Sequence, residues 1–352
     1  MLHTAVPCCL SGSRVSLVSA TSIATVLDRR ICVAPMMDYT DRHCRYFMRL
    51  LSPSALLYTE MVTDKALLHG DPARLLAFDS TEQPVALQLG GSDPDQLATA
   101  AKLGEQFGYR EINLNCGCPS DRVKSGRFGA CLMAEPERVR DCVYAMRAAV
   151  RVPVTVKCRI GIEPGMAGRD DLEFLRHFIG TVAVAGCSVF VVHARRAILN
   201  GLSPKENREI PPLRYELVAQ LCHEFPELTF ILNGGIRTVE QVTQQLPACD
   251  GVMIGREAYQ NPYLLAELHR QHVASDWCPE RSDVLRMYAG YVTRQMQVGE
   301  RLNLMVRHVL GLYHGLSGAR SWRRFLSEGV VRSPHSTSLL MDSLRIVTEQ
   351  AA

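Results

Sequence analysis

The stretch Glu111-Ile112-Asn113-Leu114-Asn115-Cys116-Gly117-Cys118-Pro119-Ser120 predicts a buried β-strand that ends in a sharp turn. Pro119 has no backbone N–H to donate to a sheet, so the strand ends before it. Cys118 then points into any cavity above the strand end. A cysteine thiol is mostly protonated at neutral pH and can donate a proton there, although a buried structural cysteine is the alternative.

Seven other short apolar runs accompany this strand, and segments of helical length and spacing separate them. Eight parallel strands buried on both faces are what a closed barrel requires, so we expect an α/β protein with a (β/α)8 TIM barrel. A doubly wound open sheet is the alternative, but Pro35-Met36-Met37 follows the first run where that fold has a glycine-rich turn. The runs are 31–34, 55–59, 85–89, 111–115, 154–158, 189–193, 230–233 and 251–255.

The chain divides into three parts. Residues 1–30 are rich in Ser, Thr and Val and predict a disordered extension, with a transit peptide as the weaker alternative. Residues 31–270 form the predicted barrel. Residues 271–352 lack further strand runs, while 283–297 and 302–316 have helical apolar spacing, so we expect a C-terminal helical domain.

Composition excludes several classes of protein. A net charge of +3 gives no global sign of nucleic-acid binding, and no apolar stretch is long enough to span a membrane. The 13 cysteines are scattered without disulfide or metal-ligand spacing, which indicates reduced thiols, a cytoplasmic location and no metal. We expect a monomer.

The residues that close the barrel strands form a ring, because the carboxyl ends of barrel strands surround one cavity. For any one of them a solvated or capping role is equally plausible. The polar members are Glu60, Gln88, Asn115, Cys118, Lys157, Arg159, His193, Asn233 and Arg256.

The glycines after the last two strands indicate the class of ligand. Gly234-Gly235 and Gly255 occupy the places where barrels hold a phosphate against backbone N–H groups, and Arg256 adds a cation. Lys157 and His193 then lie toward the ring system of a phosphorylated cofactor, which fits flavin mononucleotide (FMN).

A local basic segment runs from residue 301 to 327 without an acidic residue. Arginine binds phosphate and stacks on bases, so this segment is the candidate RNA surface, and Trp322 among the arginines favours that interpretation over a solvated helix face. Arg320, Arg323 and Arg324 are its candidate contacts, with Lys205 and Arg208 near the cavity.

With these residues assembled, the chain resembles the A subfamily of the tRNA-dihydrouridine synthases from about residue 33 to 327. The resemblance is carried by Asn115-Cys116-Gly117-Cys118-Pro119-Ser120, Phe128-Gly129-Ala130-Cys131-Leu132-Met133 and Gly201-Leu202-Ser203-Pro204-Lys205-Glu206-Asn207-Arg208. It implies that Cys118 is the proton donor and that FMN is lined by Pro35, Met36, Met37, Gln88, Lys157, His193, Asn233, Gly234, Gly235, Gly255 and Arg256.

The resemblance also implies a reaction. NADPH reduces the flavin, flavin N5 delivers hydride to C6 of a uridine in the tRNA D-loop (U20 and U20a), and Cys118 protonates C5. We expect Asn115 to bind the uracil edge, and Gly126 and Gly129 to allow a lid to close over it. Two alternatives remain at this stage: a small-molecule flavoenzyme of the dihydroorotate dehydrogenase type, and an RNA-binding protein with a catalytically silent barrel.

Overall fold

In the computed structural model, which describes residues 27–120, 126–166 and 168–348, all eight predicted strands are present with ends within one residue of the prediction. We number them β1 to β8 in chain order. They are Ile31–Val33, Leu56–Tyr58, Val85–Gly90, Glu111–Cys116, Val154–Arg159, Val189–His193, Thr229–Asn233 and Gly251–Ile254.

The strands form a closed parallel barrel. Each pairs with its neighbours in chain order, and β8 pairs back onto β1 with Val252 opposite Ile31 and Ile254 opposite Val33. The chain is therefore a TIM barrel, as the alternation of runs predicts. Three two-residue strands, Val62–Thr63, Ile162–Glu163 and Ala197–Ile198, lie in the loops above the carboxyl ends.

Helices cover the outside of the barrel, and polar side chains cap their N-termini. Asp41, Asp93 and Asp170 each accept a backbone N–H from the first turn of the following helix, which satisfies a donor that the helix leaves unpaired. The helices up to the last strand are α1 Arg42–Leu51, α2 Asp64–His69, α3 Pro72–Leu75, α4 Pro94–Gln106, α5 Pro136–Ala149, α6 Asp171–Ala183, α7 Tyr215–Glu224 and α8 Val239–Gln245.

The barrel interior is divided into an apolar and a polar sector, because alternate residues of each strand point inward. Residues such as Val191, Ile231 and Met253 form the apolar sector. On β3 to β5 a chain of hydrogen bonds runs down the axis: Asn115 donates to Gln88, Gln88 to Asn113, Asn113 to Thr155 and Thr155 to Glu111, each at 2.8 Å. This network satisfies polar groups that would otherwise be costly to bury.

The chain is helical from Arg256 to the end of its described part. The helical part shares one apolar core with β1, β8 and α1. Its helices are α9 Arg256–Gln260, α10 Leu264–His272, α11 Arg281–Gln297, α12 Leu302–Val306, α13 Ala319–Arg332 and α14 Leu339–Thr348. The boundary at residue 270 stays a prediction.

Three sequence expectations need correction. The helix predicted over 302–316 ends at Val306 and continues as turns, since a side chain at Gly311 would meet the Gln260 carbonyl at 2.5 Å and Gly315 has a φ of +77°. Trp322 is fully buried and donates to Ser343 at 2.9 Å, so it cannot stack on RNA.

The third correction concerns the predicted extension. Arg29 reaches the Glu111 carboxylate at 2.6 Å at the floor of the barrel, and Arg30 donates to the His272 carbonyl at 2.6 Å. Residues 27–30 therefore belong to the folded body, while 1–26 lie outside the described residues. None of the helices described is long and apolar enough to cross a membrane.

Candidate active site

A cavity of about 780 Å³ opens at the carboxyl ends of the barrel strands. Its walls come from the ends of β1 and β3 to β8 and from the loops that follow them, so residues far apart in sequence meet there. Every predicted FMN residue lines this cavity, together with Cys118, Asn115 and Arg208; the FMN residues are Pro35, Met36, Met37, Gln88, Lys157, His193, Asn233, Gly234, Gly235, Gly255 and Arg256.

The turn that carries Cys118 is held by the side chain of Asn115. Its Oδ1 accepts the backbone N–H groups of Gly117 at 3.1 Å and Cys118 at 3.0 Å, while its Nδ2 donates to Gln88. An Asn at a strand end commonly closes a turn in this way. Asn115 thus links the polar network of the barrel interior to the position of the thiol, and one Nδ2 hydrogen remains for a ligand.

The segment predicted to be a lid instead supports this turn. Residues Gly129–Ala134 form a 3-10 helix in which Ala130, Leu132 and Met133 are buried. The Ala130 N–H donates to the Cys118 carbonyl at 2.9 Å. The lid expectation is therefore wrong for these residues, since opening them would expose core side chains.

Lys157 brings a partly buried ammonium group to the base of the cavity. Its Nζ donates to Asn233 Oδ1 at 2.9 Å, and Asn233 Nδ2 donates to the Met253 carbonyl at 2.7 Å. Burial, with a smaller contribution from the charge of Arg159, lowers the pKa of Lys157 to about 8. The site thus contains a cation that no carboxylate pairs among the described residues.

His193 lies next to the glycine turn, within 3.4 Å of where a side chain on Gly234 would begin. Its Nδ1 is buried and has no hydrogen-bond partner in the described part of the chain. Burial and the charges of Arg159 and Lys157 lower the pKa of His193 well below its usual range. A neutral imidazole therefore lines the cavity.

Arginines from separate loops add positive charge around the cavity. Arg159 donates to three backbone carbonyls, including Gly117 at 3.1 Å, and burial lowers its pKa to about 10. The Nε of Arg195 is buried without a partner among the described residues. Arg195 and Arg237, which sequence reasoning missed, line the cavity with Arg208. Both lie beyond the strand ends, so the apolar pattern of the strands gives no signal for them.

The glycine turn after β7 requires glycine at both positions. Gly234 and Gly235 have φ of +117° and +71°, and a side chain at Gly235 would lie 2.5 Å from Leu213. The chain therefore makes a tight turn at these two residues. Gly255, in contrast, has open space where a side chain would start, so the backbone is accessible to a ligand there.

FMN is the cofactor that the motif resemblance implies, and the residues fit it. The accessible backbone at Gly255 and the arginines suit a phosphate, while Lys157 and the imidazole of His193 suit the polar edge of a flavin ring. The part of the chain that the structure covers holds no His, Cys, Asp or Glu group arranged to bind a metal ion.

The predicted RNA contacts are distributed over two places. Arg208 is at the cavity rim, while Lys205 is exposed on the same loop outside the lining. Arg320, Arg323 and Arg324 are exposed on α13 and do not line the cavity.

The fold and site define a TIM-barrel protein with a cation-rich cavity and a thiol on its rim. The sequence profile of the family described as Dihydrouridine synthase (Dus) matches residues 32–346. The chain belongs to the dihydrouridine synthase family and is an oxidoreductase, which confirms the resemblance drawn from the motifs.

Curated relatives match along most of their length. Proteins named tRNA-dihydrouridine(20/20a) synthase are 56% identical over 303 residues in Shewanella oneidensis, covering 86% of this chain and 89% of the relative. The match is 54% over 321 residues in Pseudomonas putida (91% and 94%) and 53% over 323 residues in Escherichia coli (91% and 92%).

A solved complex of 2-naphthoyl-CoA reductase with 2-naphthoyl-CoA has the same barrel. The TM-score is 0.53 at 11% sequence identity, over 70% of this chain and 51% of that one. At this identity the likeness shows the fold alone.

Proposed function

We propose that the protein reduces uridine in tRNA to 5,6-dihydrouridine, with FMN as cofactor and NADPH as reductant. The observation that carries the proposal is the single cavity in which Cys118 and all eleven predicted FMN residues meet. The names of relatives that are more than 50% identical support the tRNA substrate and the positions U20 and U20a in the D-loop.

Bound by these residues and reduced by NADPH, FMN would supply the hydride that adds to C6 of the uracil ring. Hydride addition leaves negative charge conjugated to a ring carbonyl, so C5 needs a proton from the protein. Cys118 lies half-buried on the rim, and its Sγ lies 3.4 Å from Ser120 Oγ. The thiol gives its proton to C5 and regains one from solvent through the open rim.

The turn must hold the thiol in a fixed place, because proton transfer depends on geometry before it depends on acidity. Asn115 fixes the turn from below by accepting two N–H groups, and Arg159 fixes it from the side by donating to Gly117. The remaining Nδ2 hydrogen of Asn115 is available for a uracil carbonyl.

A uridine in folded tRNA reaches this cavity only if its base is extruded, at a cost of a few kcal/mol. Lys205 and Arg208 contact the backbone near the mouth, and Arg320, Arg323 and Arg324 hold the tRNA body. We place the reaction in the cytoplasm and propose that a monomer performs it.

The test is mass spectrometry of unmodified tRNA transcript after incubation with the protein, FMN and NADPH. Dihydrouridine at the D-loop positions supports the proposal. A flavin-loaded protein that oxidises NADPH but turns over only free dihydropyrimidines would contradict it and favour the small-molecule flavoenzyme. A protein that binds tRNA but takes up no FMN would contradict it in favour of a silent RNA-binding barrel.

A further inference from the structure

A second cavity, of about 660 Å³, adjoins the first. It lies between the loop after β2, the start of α1 and the helical part of the chain, and the proposed reaction leaves it without a role. Met37, Met61, Cys118 and Ser120 line both cavities. The two spaces therefore meet at the thiol.

Among the residues that the structure describes, one carboxylate in the second cavity has no cation paired with it. Glu60 follows β2 and lines the cavity, and it forms no salt bridge with any described residue. The arginines nearby are committed elsewhere, since Arg45 donates to the buried Glu82 at 2.8 Å and Arg42 pairs with Glu300. Glu60 accepts a backbone N–H from Asp38, and its carboxylate keeps further lone pairs for a ligand in a partly buried wall.

The lining also includes several polar side chains, of which Asp41, Arg42, Arg45 and Glu300 are paired with other residues of the protein, and a number of apolar ones. Met61, Phe128 and Leu304 supply flat or flexible apolar surface, as a base-binding site requires. Arg74, in the last turn of α3, is exposed and has no carboxylate partner in the part of the chain that the structure covers. An apolar wall, one acceptor and one cation together suit a nucleotide.

A uridine whose base enters the first cavity stays linked by phosphate to its neighbours, which must lie near the shared rim. We propose that the second cavity binds the nucleotide adjacent to the target uridine, with Glu60 accepting hydrogen bonds from a guanine base and Arg74 facing a backbone phosphate. Guanine fits because it presents adjacent N1–H and N2–H donors to the two oxygens of a carboxylate. The inference rests on the proposed tRNA substrate.

The experiment measures kcat/KM for dihydrouridine formation on tRNA transcripts that carry guanosine, inosine or adenosine next to the target uridine. One set of transcripts varies the nucleotide on the 5′ side of the target, and a second set varies the nucleotide on the 3′ side. On one side we expect the protein to prefer guanosine to adenosine by about tenfold, with inosine between them because it lacks the N2 amine. E60Q should reduce that preference to less than about twofold, since an amide cannot accept both donors.

Arg74→Gln should act differently, because a phosphate contact carries no base preference. It should raise KM for all transcripts by a similar factor. It should also reduce the slope of log affinity against log salt concentration by about one. The matched control is Arg110→Gln, an exposed arginine that precedes β4 at the opposite end of the barrel. It should change neither quantity.

Two results would overturn the inference. One is equal rates for the protein on guanosine and adenosine transcripts from both sets, which needs no variant. The other is an E60Q protein that is slower by the same factor on every transcript. A protein that forms no dihydrouridine on any transcript would instead contradict the proposed function itself.

Discussion

Removing the ammonium group of Lys157 from water costs free energy, and an anionic cofactor bound beside it would offset that cost. Its hydrogen bond to Asn233 is to a neutral oxygen, so it does not balance the charge. We expect the folded protein to release this proton near pH 8, whereas an unfolded lysine holds its proton to about pH 10.4.

Lys157→Met should therefore change how stability depends on pH. Below pH 8 the folded protein carries the full cost of the buried charge, and its stability rises with pH between 8 and 10 because the unfolded chain then binds more protons. The free energy of unfolding of the variant minus that of the native protein should therefore be higher at pH 7 than at pH 10, by on the order of 1 kcal/mol. Denaturant unfolding of cofactor-free protein at both pH values measures this, with Lys102→Met, an exposed lysine on α4, as the control.

A pH-independent difference between Lys157→Met and the native protein would contradict the assigned burial cost. FMN binding provides a second readout. The same variant should bind FMN more weakly at pH 7, while Lys102→Met binds it normally.

At the residue scale the sequence could predict which side chains end each strand, and the structure shows that all of them except Glu60 share one cavity. Glu60 lines the adjoining cavity instead. Cys118, Lys157 and His193 were found because each closes an apolar run. Arg195 and Arg237 were not, since both lie in loops beyond the strand ends, and only the barrel topology brings those loops together. Whether each side chain binds FMN or tRNA stays a prediction.

Among the helices, α13 has one face that packs into the core and an opposite face that carries exposed arginines. Trp322 and Leu326 are fully buried, and the Trp322 ring packs edge-on against Tyr313 at 4.9 Å. Arg320, Arg323 and Arg324 point to solvent without carboxylate partners among the described residues. The aromatic residue stabilises the helical part, and the arginines are left for a ligand.

Replacing these three arginines with glutamine should weaken tRNA binding without unfolding the protein. Three lost phosphate contacts reduce the slope of log affinity against log salt by about two to three. Filter binding over a range of salt concentrations measures the slope. The control is Arg332→Gln on the same helix, because Arg332 already pairs with Glu328 at 2.8 Å. An unchanged slope in the triple variant would exclude this helix from the tRNA interface.

Sequence pattern could locate the basic segment but not its orientation. Trp322 was misread because tryptophan suits both a core and a base-stacking surface, and only the packing of α14 against α13 decides between them. The helix predicted over 302–316 was overextended for a similar reason. Its apolar spacing continues past Val306, but its glycines allow the chain to turn where α9 approaches.

Across the whole molecule, Asp41 joins the barrel to the helical part. It caps α1 by accepting the Cys44 N–H, and it binds Arg307 at 2.5 Å and His308 at 3.0 Å. Burial opposes its ionisation, but His308, the Cys44 amide and Arg307 outweigh burial and hold the pKa of Asp41 well below its usual range.

Asp41→Asn should keep the helix cap, since asparagine caps as well as aspartate, and remove only the charge. We expect a loss of about 2 kcal/mol in the free energy of unfolding at pH 7, because Arg307 loses its counter-ion and His308 loses a charged hydrogen-bond partner. The loss should shrink as pH falls below about 4, where the unfolded carboxylate protonates and the native ion pair no longer contributes fully.

Asp170→Asn, which changes the exposed cap of α6, serves as the matched control and should have little effect. If both variants lose the same free energy of unfolding, the charge of Asp41 adds no stability, and Asp41 does not hold the barrel to the helical part. Sequence reasoning could not find this joint, because its partners are more than 260 residues apart and meet only when the barrel closes.

The most direct test of the central claim is a single turnover without oxygen. Protein loaded with FMN and reduced by one equivalent of NADPH is mixed with unmodified tRNA. The dihydrouridine formed is quantified by mass spectrometry. We expect about one dihydrouridine per FMN from the native protein, and a rate lower by roughly 10²- to 10⁴-fold from Cys118→Ala, which keeps the cavity but lacks the proton donor. A Cys118→Ala protein that forms dihydrouridine at the native rate would contradict the account.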